Sequence, residues 1–226
     1  MSYNRGGGVL DLSASPEHPD VRAFFTALFT PIARHMRGIS PNTLTLISLV
    51  AGVAAGGAFL FAQRGHLYYA LAAVLLAVSG AADSLDGIVA RMYGRASAWG
   101  DFLDHFGDRL IEVSVLSGIA FSPRANRTLG LYVLVVTLLH SYLGTQIEAT
   151  LGYRRHDGPG KAEHFVFLIA FAVILAAFPD FSIAVAGRTV FLPNVFLAVL
   201  GLSTLAGVAH RLIRARLLCA SSRPRE

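Results

Sequence analysis

Asp83, Asp86, Asp104 and Asp108 fall within the stretch DSLDGIVARMYGRASAWGDFLDHFGD, the first pair three residues apart and the second pair four. Residues at either spacing share one face of a helix. Each pair therefore points one way, and a tight connection over 92–99 turns the two faces toward each other. Four carboxylates confined in this way cannot all stay ionised without cations. Hard divalent ions with oxygen ligands, Mg²⁺ or Mn²⁺, meet that need. Two such ions about 4 Å apart can clamp a phosphoryl group undergoing in-line displacement. Gly87 and Gly100 remove side chains where a bulky substrate could approach the backbone. Arg91 supplies a cation suited to a diphosphate oxygen, and Ser97 a hydroxyl in the connection. Asp101 reads as a helix cap outside the metal set. Glu112, one turn beyond Asp108, reads as a polar contact within the bundle or a support to the metal set.

The elements that must position these acids are strongly apolar. The chain has 226 residues, 54% hydrophobic and 15% charged, against about 25% charged in a soluble domain. Crossing a bilayer takes about 20 apolar residues. Six spans are expected, near 42–62, 67–91, 100–122, 127–151, 162–180 and 189–213. The fold class expected is therefore an all-α polytopic membrane protein. Before the first span, Phe24, Phe25, Leu28, Phe29 and Ile32 recur at helical spacing, which predicts an amphipathic helix lying in the interface. This divides the chain into a flexible segment 1–17, a juxtamembrane helix 18–38, a membrane domain 39–215 and a basic tail 216–226. Met1 to Ser15 lacks the apolar centre of a signal peptide. The single Cys219 excludes a disulfide within the chain.

Charge sets the orientation. With six spans, fifteen of the nineteen Lys and Arg residues collect on the side of both termini and of the 92–99 and 152–161 loops. Arg64, Arg124, Arg127 and Arg188 make up the four on the other side. Basic loops stay cytoplasmic, so both termini and the aspartates are expected there, in the cell membrane. The net charge of +5 fits basic loops at an anionic membrane surface. No aromatic–basic interleaving of the kind that binds nucleic acid is present.

The pattern Asp83-x2-Asp86-Gly87-x2-Ala90-Arg91-x8-Gly100-x3-Asp104-x3-Asp108 resembles the signature of the CDP-alcohol phosphatidyltransferase family, with every fixed position present. Gly38-Ile39-Ser40-Pro41-Asn42-Thr43-Leu44-Thr45 is similar to that family's approach to its first span. Pro31-Ile32-Ala33-Arg34 resembles the juxtamembrane helix of phosphatidylinositol-phosphate synthases, and in outline the chain is most similar to these and to the phosphatidylglycerol-phosphate synthases. The resemblance covers about residues 24 to 215. It implies a six-helix membrane fold, usually a homodimer, with its active site open to the cytoplasm. It implies transfer of a substituted phosphoryl group from a CDP-alcohol, often CDP-diacylglycerol, to a hydroxyl acceptor in phospholipid biosynthesis, with release of CMP. Asp83, Asp86 and Asp104 would ligate metal. Asp108 would ligate the second ion and act as base, and Asn42, Thr43, Leu44, Thr45, Gly87, Arg91 and Ser97 would contact the CDP-alcohol.

The acceptor is written less clearly. Ser141-Tyr142-Leu143 with Glu148, and Gly160-Lys161-Ala162-Glu163, resemble blocks of the inositol-phosphate and glycerol-phosphate branch. Gly144 and Gln146 stand where the inositol-phosphate enzymes have basic residues, and His164 where an Arg is usual. Lys161, Arg211 and His210 remain as candidate anion contacts for the acceptor, and Lys161 and Arg211 read equally as cations snorkelling at the membrane boundary. His35, His105, His140 and His156 are assigned no direct role, and His105 is expected to point away from the Asp104/Asp108 face. Two other readings of the acids are an aspartate-rich prenyltransferase and a carboxylate-lined ion transporter. The first usually has two well-separated acidic motifs, and the second places charge near the midplane between repeats.

Overall fold

Long apolar runs must satisfy their own backbone hydrogen bonds, and the chain does so with helices. The computed structural model describes residues 21–152, 161–185 and 187–221. Its helices are α1 (Val21–Ala33), α2 (Pro41–Phe61), α3 (Leu67–Met92), α4 (Ala98–Ala120), α5 (Arg127–Leu151), α6 (Lys161–Ala177) and α7 (Leu192–Ser221). A short 3₁₀ turn, Ala62–Arg64, follows α2. Between α6 and α7 lies an antiparallel hairpin of β1 (Ser182–Val185) and β2 (Arg188–Phe191), with Ser182 opposite Phe191.

The helices α2 to α6 match the first five expected spans to within about three residues at each end. The last region differs. Residues 189–191 are strand, and α7 continues well past 213. The hairpin forms because Thr189, Val190 and Phe191 favour an extended backbone and Gly187 turns the chain at φ +76°, a conformation that favours glycine.

Among the described residues, four helices, α2 with its 3₁₀ extension, α3, α5 and α7, are long and apolar enough to cross a membrane. This is an integral membrane protein. The apolar part of α6, Phe165–Ala177, is short. Helix α4 has the length, but it holds Asp101, Asp104, Asp108, Arg109 and Glu112.

Helix α2 lies against α3 and α4, α3 against α6, and α5 against α4 and α7. The core gathers Phe59, Tyr69, Leu76, Leu116, Ile119, Leu175 and Leu197. Between helices in lipid, close contact rather than hydrophobic burial drives association, so small residues sit at the seams. The α2–α4 seam shows this. A Cβ added at Gly56 would strike the Ser114 backbone, and one added at Gly118 would strike the Gly56 carbonyl. Between α2 and α3, Ser79 donates to the Ser48 carbonyl at 2.9 Å, with both side chains buried.

Helix α1 joins the bundle through a second apolar cluster of Ala33, Leu44, Leu85, Ile88 and Val89. Phe24, Leu28 and Ile32 remain exposed on its other side.

Candidate functional site

The turn between α3 and α4 is anchored from outside. Tyr93 donates its hydroxyl to the Arg34 carbonyl at 2.9 Å, and Arg95 donates to the Ile39 carbonyl at 3.2 Å. The α3–α4 connection is thus tied to the segment joining α1 to α2. Ser97 then caps α4, its Oγ accepting from the Gly100 N–H at 3.1 Å. The capping role considered for Asp101 belongs to Ser97. Asp101 sits in the first turn, where an acid complements the helix dipole.

With the turn fixed, the acid pairs meet. Carboxylate oxygens of Asp83, Asp86 and Asp104 lie within 4.8 Å of one another, so α3 and α4 contribute to one cluster. Asp86 is 8% exposed, while Asp83, Asp104 and Asp108 are half-buried. Thr45 on α2 donates its hydroxyl to Asp86 Oδ2 at 2.6 Å. Asp104 and Asp108 form a second group within the same 4.8 Å limit, together with a ring nitrogen of His105.

That last contact corrects the expectation for His105. Its Nδ1 stands 3.9 Å from Asp104 Oδ2. A helical position adjacent to Asp104 and one turn before Asp108 lets a long imidazole side chain swing onto their shared side, which spacing alone does not reveal.

The glycines clear space for polar side chains. A Cβ at Gly87 would lie 3.2 Å from Arg91 Nη1, so the guanidinium rests over the α3 backbone there. A Cβ at Gly100 would lie 3.3 Å from Asn42 Oδ1 and 3.2 Å from Ser97 Oγ. Asn42, Ser97 and Gly100 are therefore neighbours at the start of α2 and α4. Thr43 is exposed and Thr45 half-buried. Leu44 is only 4% exposed and packs in the α1–α3 cluster, leaving Asn42, Thr43 and Thr45 as the polar members of that stretch.

A second polar region joins α4, α5 and α7, and the sequence pointed to only part of it. Arg109 pairs with Glu112 and also donates to the Ser141 hydroxyl. Arg211 donates to the His140 carbonyl, and its guanidinium fills the space that a side chain at position 144 would occupy. The convergence of Ser141, Gly144 and Arg211 is a property of the packing. Lys161 opens α6, but its side chain lies outside the described residues, as does His156.

Two overlapping groups rich in carboxylate oxygen, brought together from two helices and sharing Asp104, suit hard divalent cations. The residues present fit such ions, and the neighbouring Arg91 fits a diphosphate.

Comparison with known proteins agrees with that chemistry. The family model described as CDP-alcohol phosphatidyltransferase matches residues 38–206. A phosphatidylinositol phosphate synthase of Streptomyces avermitilis is 43% identical over 101 residues, which is 44% of this chain and 40% of that protein. One from Corynebacterium glutamicum is 35% identical over 129 residues, 53% of this chain and 57% of that protein. The chain thus spans about half the length of these curated relatives. Among solved structures, Mycobacterium tuberculosis phosphatidylinositol phosphate synthase with CDP-DAG bound superposes with a TM-score of 0.65 at 23% identity, covering 84% of this chain and 94% of that one. The same enzyme in complex with manganese and citrate gives 0.64 at 22% identity, covering 82% and 88%. At that identity the likeness establishes the fold.

Proposed function

Because the chain belongs to the CDP-alcohol phosphatidyltransferase family, we propose that it transfers a substituted phosphoryl group from a CDP-linked lipid to a hydroxyl acceptor and releases CMP. The observation that carries this reading is the meeting of Asp83 and Asp86 with Asp104 across two helices, inside the segment the family model matches. The donor is CDP-diacylglycerol or a similar CDP-lipid, the kind of ligand bound in the Mycobacterium tuberculosis structure.

Asp83, Asp86, Asp104 and Asp108 hold two divalent cations, Mg²⁺ or Mn²⁺. Bound there, the ions would neutralise the diphosphate and stabilise charge on the departing CMP. Thr45 holds one Asp86 oxygen in place through its 2.6 Å hydrogen bond. Arg91, lying over Gly87, offers its N–H groups to the diphosphate. Asn42, Thr43, Thr45 and Ser97 offer polar groups for the cytidine end. Asp108 takes the proton of the acceptor hydroxyl as that oxygen attacks the lipid-side phosphorus. A new P–O bond forms, the bond from that phosphorus to the CMP oxygen breaks, and its electron pair leaves on CMP. Arg211 and Lys161 serve the acceptor, with a phosphorylated polyol favoured by the names of the relatives.

The six helices α2 to α7 each span the membrane, α1 lies in the interface, and residues 1–17 and 216–226 flank the membrane domain. Both termini and the aspartates face the cytoplasm, as the Lys and Arg distribution favours. A homodimer is the expected assembly. The compact double acid motif speaks against prenyl transfer and ion transport.

The test is release of labelled CMP by purified protein in nanodiscs. CDP-diacylglycerol would be offered with Mg²⁺ or Mn²⁺ against glycerol 3-phosphate, inositol phosphate, inositol and serine. Release with at least one acceptor supports the reading. Silence across donors and acceptors, from protein that still binds metal, overturns it.

A further inference from the structure

We infer that His105 is a metal ligand, joining Asp104 and Asp108 at one of the two cation sites and giving that site a nitrogen donor that favours Mn²⁺ over Mg²⁺. The inference rests on the two-cation reading above and adds to it a residue outside the four-aspartate pattern.

The geometry comes first. A ring nitrogen of His105 and carboxylate oxygens of Asp104 and Asp108 all lie within 4.8 Å of one another. The Nδ1 to Asp104 Oδ2 separation is 3.9 Å. Ligands about 2.1 Å from an octahedral ion stand about 3.0 Å apart when adjacent and about 4.2 Å apart when opposed. The three groups are therefore within a small side-chain movement of a shared ion. Position helps as well. At 3.6 residues per turn, His105 lies about 60° around α4 from Asp108, and Asp104 about 40° from it on the other side. The three fan across one sector of the helix.

Burial supports the same reading. The His105 side chain is 58% exposed and that of Asp104 34%. The imidazole can therefore rotate onto an ion without disturbing the core. An exposed imidazole–carboxylate pair alone contributes little, and it does not account for the approach to both acids.

The two groups then differ in donor type. Asp83, Asp86 and Asp104 offer oxygen alone, whereas Asp104, His105 and Asp108 offer oxygen and nitrogen. Mg²⁺ demands near-ideal octahedral geometry and is slow to shed water, while Mn²⁺, a first-row transition ion, takes an imidazole nitrogen beside carboxylates more readily than Mg²⁺ does. One cation site is thus indifferent between Mg²⁺ and Mn²⁺, and the other prefers Mn²⁺.

Electron spin echo of Mn²⁺ bound to the full-length protein in nanodiscs tests this directly. The expected spectrum carries modulation from a directly bound nitrogen. Histidine-selective ¹⁵N labelling of the unmutated protein should change it to the ¹⁵N pattern, with no mutation to complicate folding. In His105→Gln the modulation should vanish and Mn²⁺ affinity fall on the order of tenfold, the low end of losses around metal sites, with Mg²⁺ affinity unchanged. Mn²⁺ bound to the wild type without nitrogen modulation, or with modulation that ignores histidine labelling, overturns the role of His105 and leaves the aspartate reading intact. If Mn²⁺ does not bind the wild type, or binds equally to Asp83→Asn and Asp104→Asn variants, the two-cation reading itself fails.

Discussion

Thr45 on α2 and Asp86 on α3 are joined by a 2.6 Å hydrogen bond, which ties the stretch Asn42–Thr45 to the acid cluster. The pair also relieves a local problem. Asp86 is 8% exposed, and a buried carboxylate needs donors or cations around it. Thr45→Val keeps the shape and removes the donor. Loss of a hydrogen bond to a buried partner costs about 1–3 kcal/mol. The variant should fold, bind metal roughly tenfold more weakly and recover part of its activity at raised metal concentration. Unchanged metal affinity would show that Thr45 does not orient Asp86.

The α2–α4 seam sets the distance between the stretch 42–45 and Asp104. Gly118→Ala introduces a methyl into the Gly56 carbonyl. Overpacking of this kind costs about 1–3 kcal/mol. A lower unfolding midpoint in detergent, together with weaker metal binding, is expected. A normal midpoint would mean that the helices part more easily than this packing implies.

Ser97→Ala removes the hydroxyl that accepts from the Gly100 N–H. Cap loss typically costs about 1 kcal/mol. If the same hydroxyl serves the CDP-alcohol, the KM for the donor should rise beyond what reduced stability explains, while Ser97→Asp should restore stability without restoring the donor KM. Equal recovery of both in Ser97→Asp would reduce Ser97 to a cap.

Gly144 admits the Arg211 guanidinium against α5. Gly144→Val should expel it and raise the acceptor KM with little effect on the donor KM. An Arg211→Gln variant should behave alike, and the double variant should be no worse than either alone. Additive losses would separate the two residues.

Much of the bundle was legible because periodicity and hydropathy decide helices in lipid. The acid cluster was legible because its spacing fixes faces, and one short turn fixes how the faces meet. The hairpin was missed because 181–188 reads as a break between spans, and Thr189, Val190 and Phe191 run straight into the apolar stretch that follows and read as the start of the last span. The β-branched Thr189 and Val190 beyond Gly187 were the available signal. The α2–α4 seam left a trace in Gly52 and Gly56, four apart. The Arg109–Ser141 contact left none, because it depends on a neighbouring helix, and the swing of His105 left none, because it depends on side-chain direction within α4.

The central claim is that the four aspartates are a metal-dependent phosphoryl-transfer site with Asp108 as its base. Its most direct test is labelled CMP release by wild-type protein and by Asp108→Asn, with nucleotide and metal binding measured on the same samples. The wild type should release CMP only when divalent metal and an acceptor are both present. Asp108→Asn should bind CDP-diacylglycerol and metal yet lose turnover by about two to four orders of magnitude, the usual contribution of a general base. Turnover by Asp108→Asn near the wild-type rate, or metal-independent CMP release by the wild type, would contradict the account.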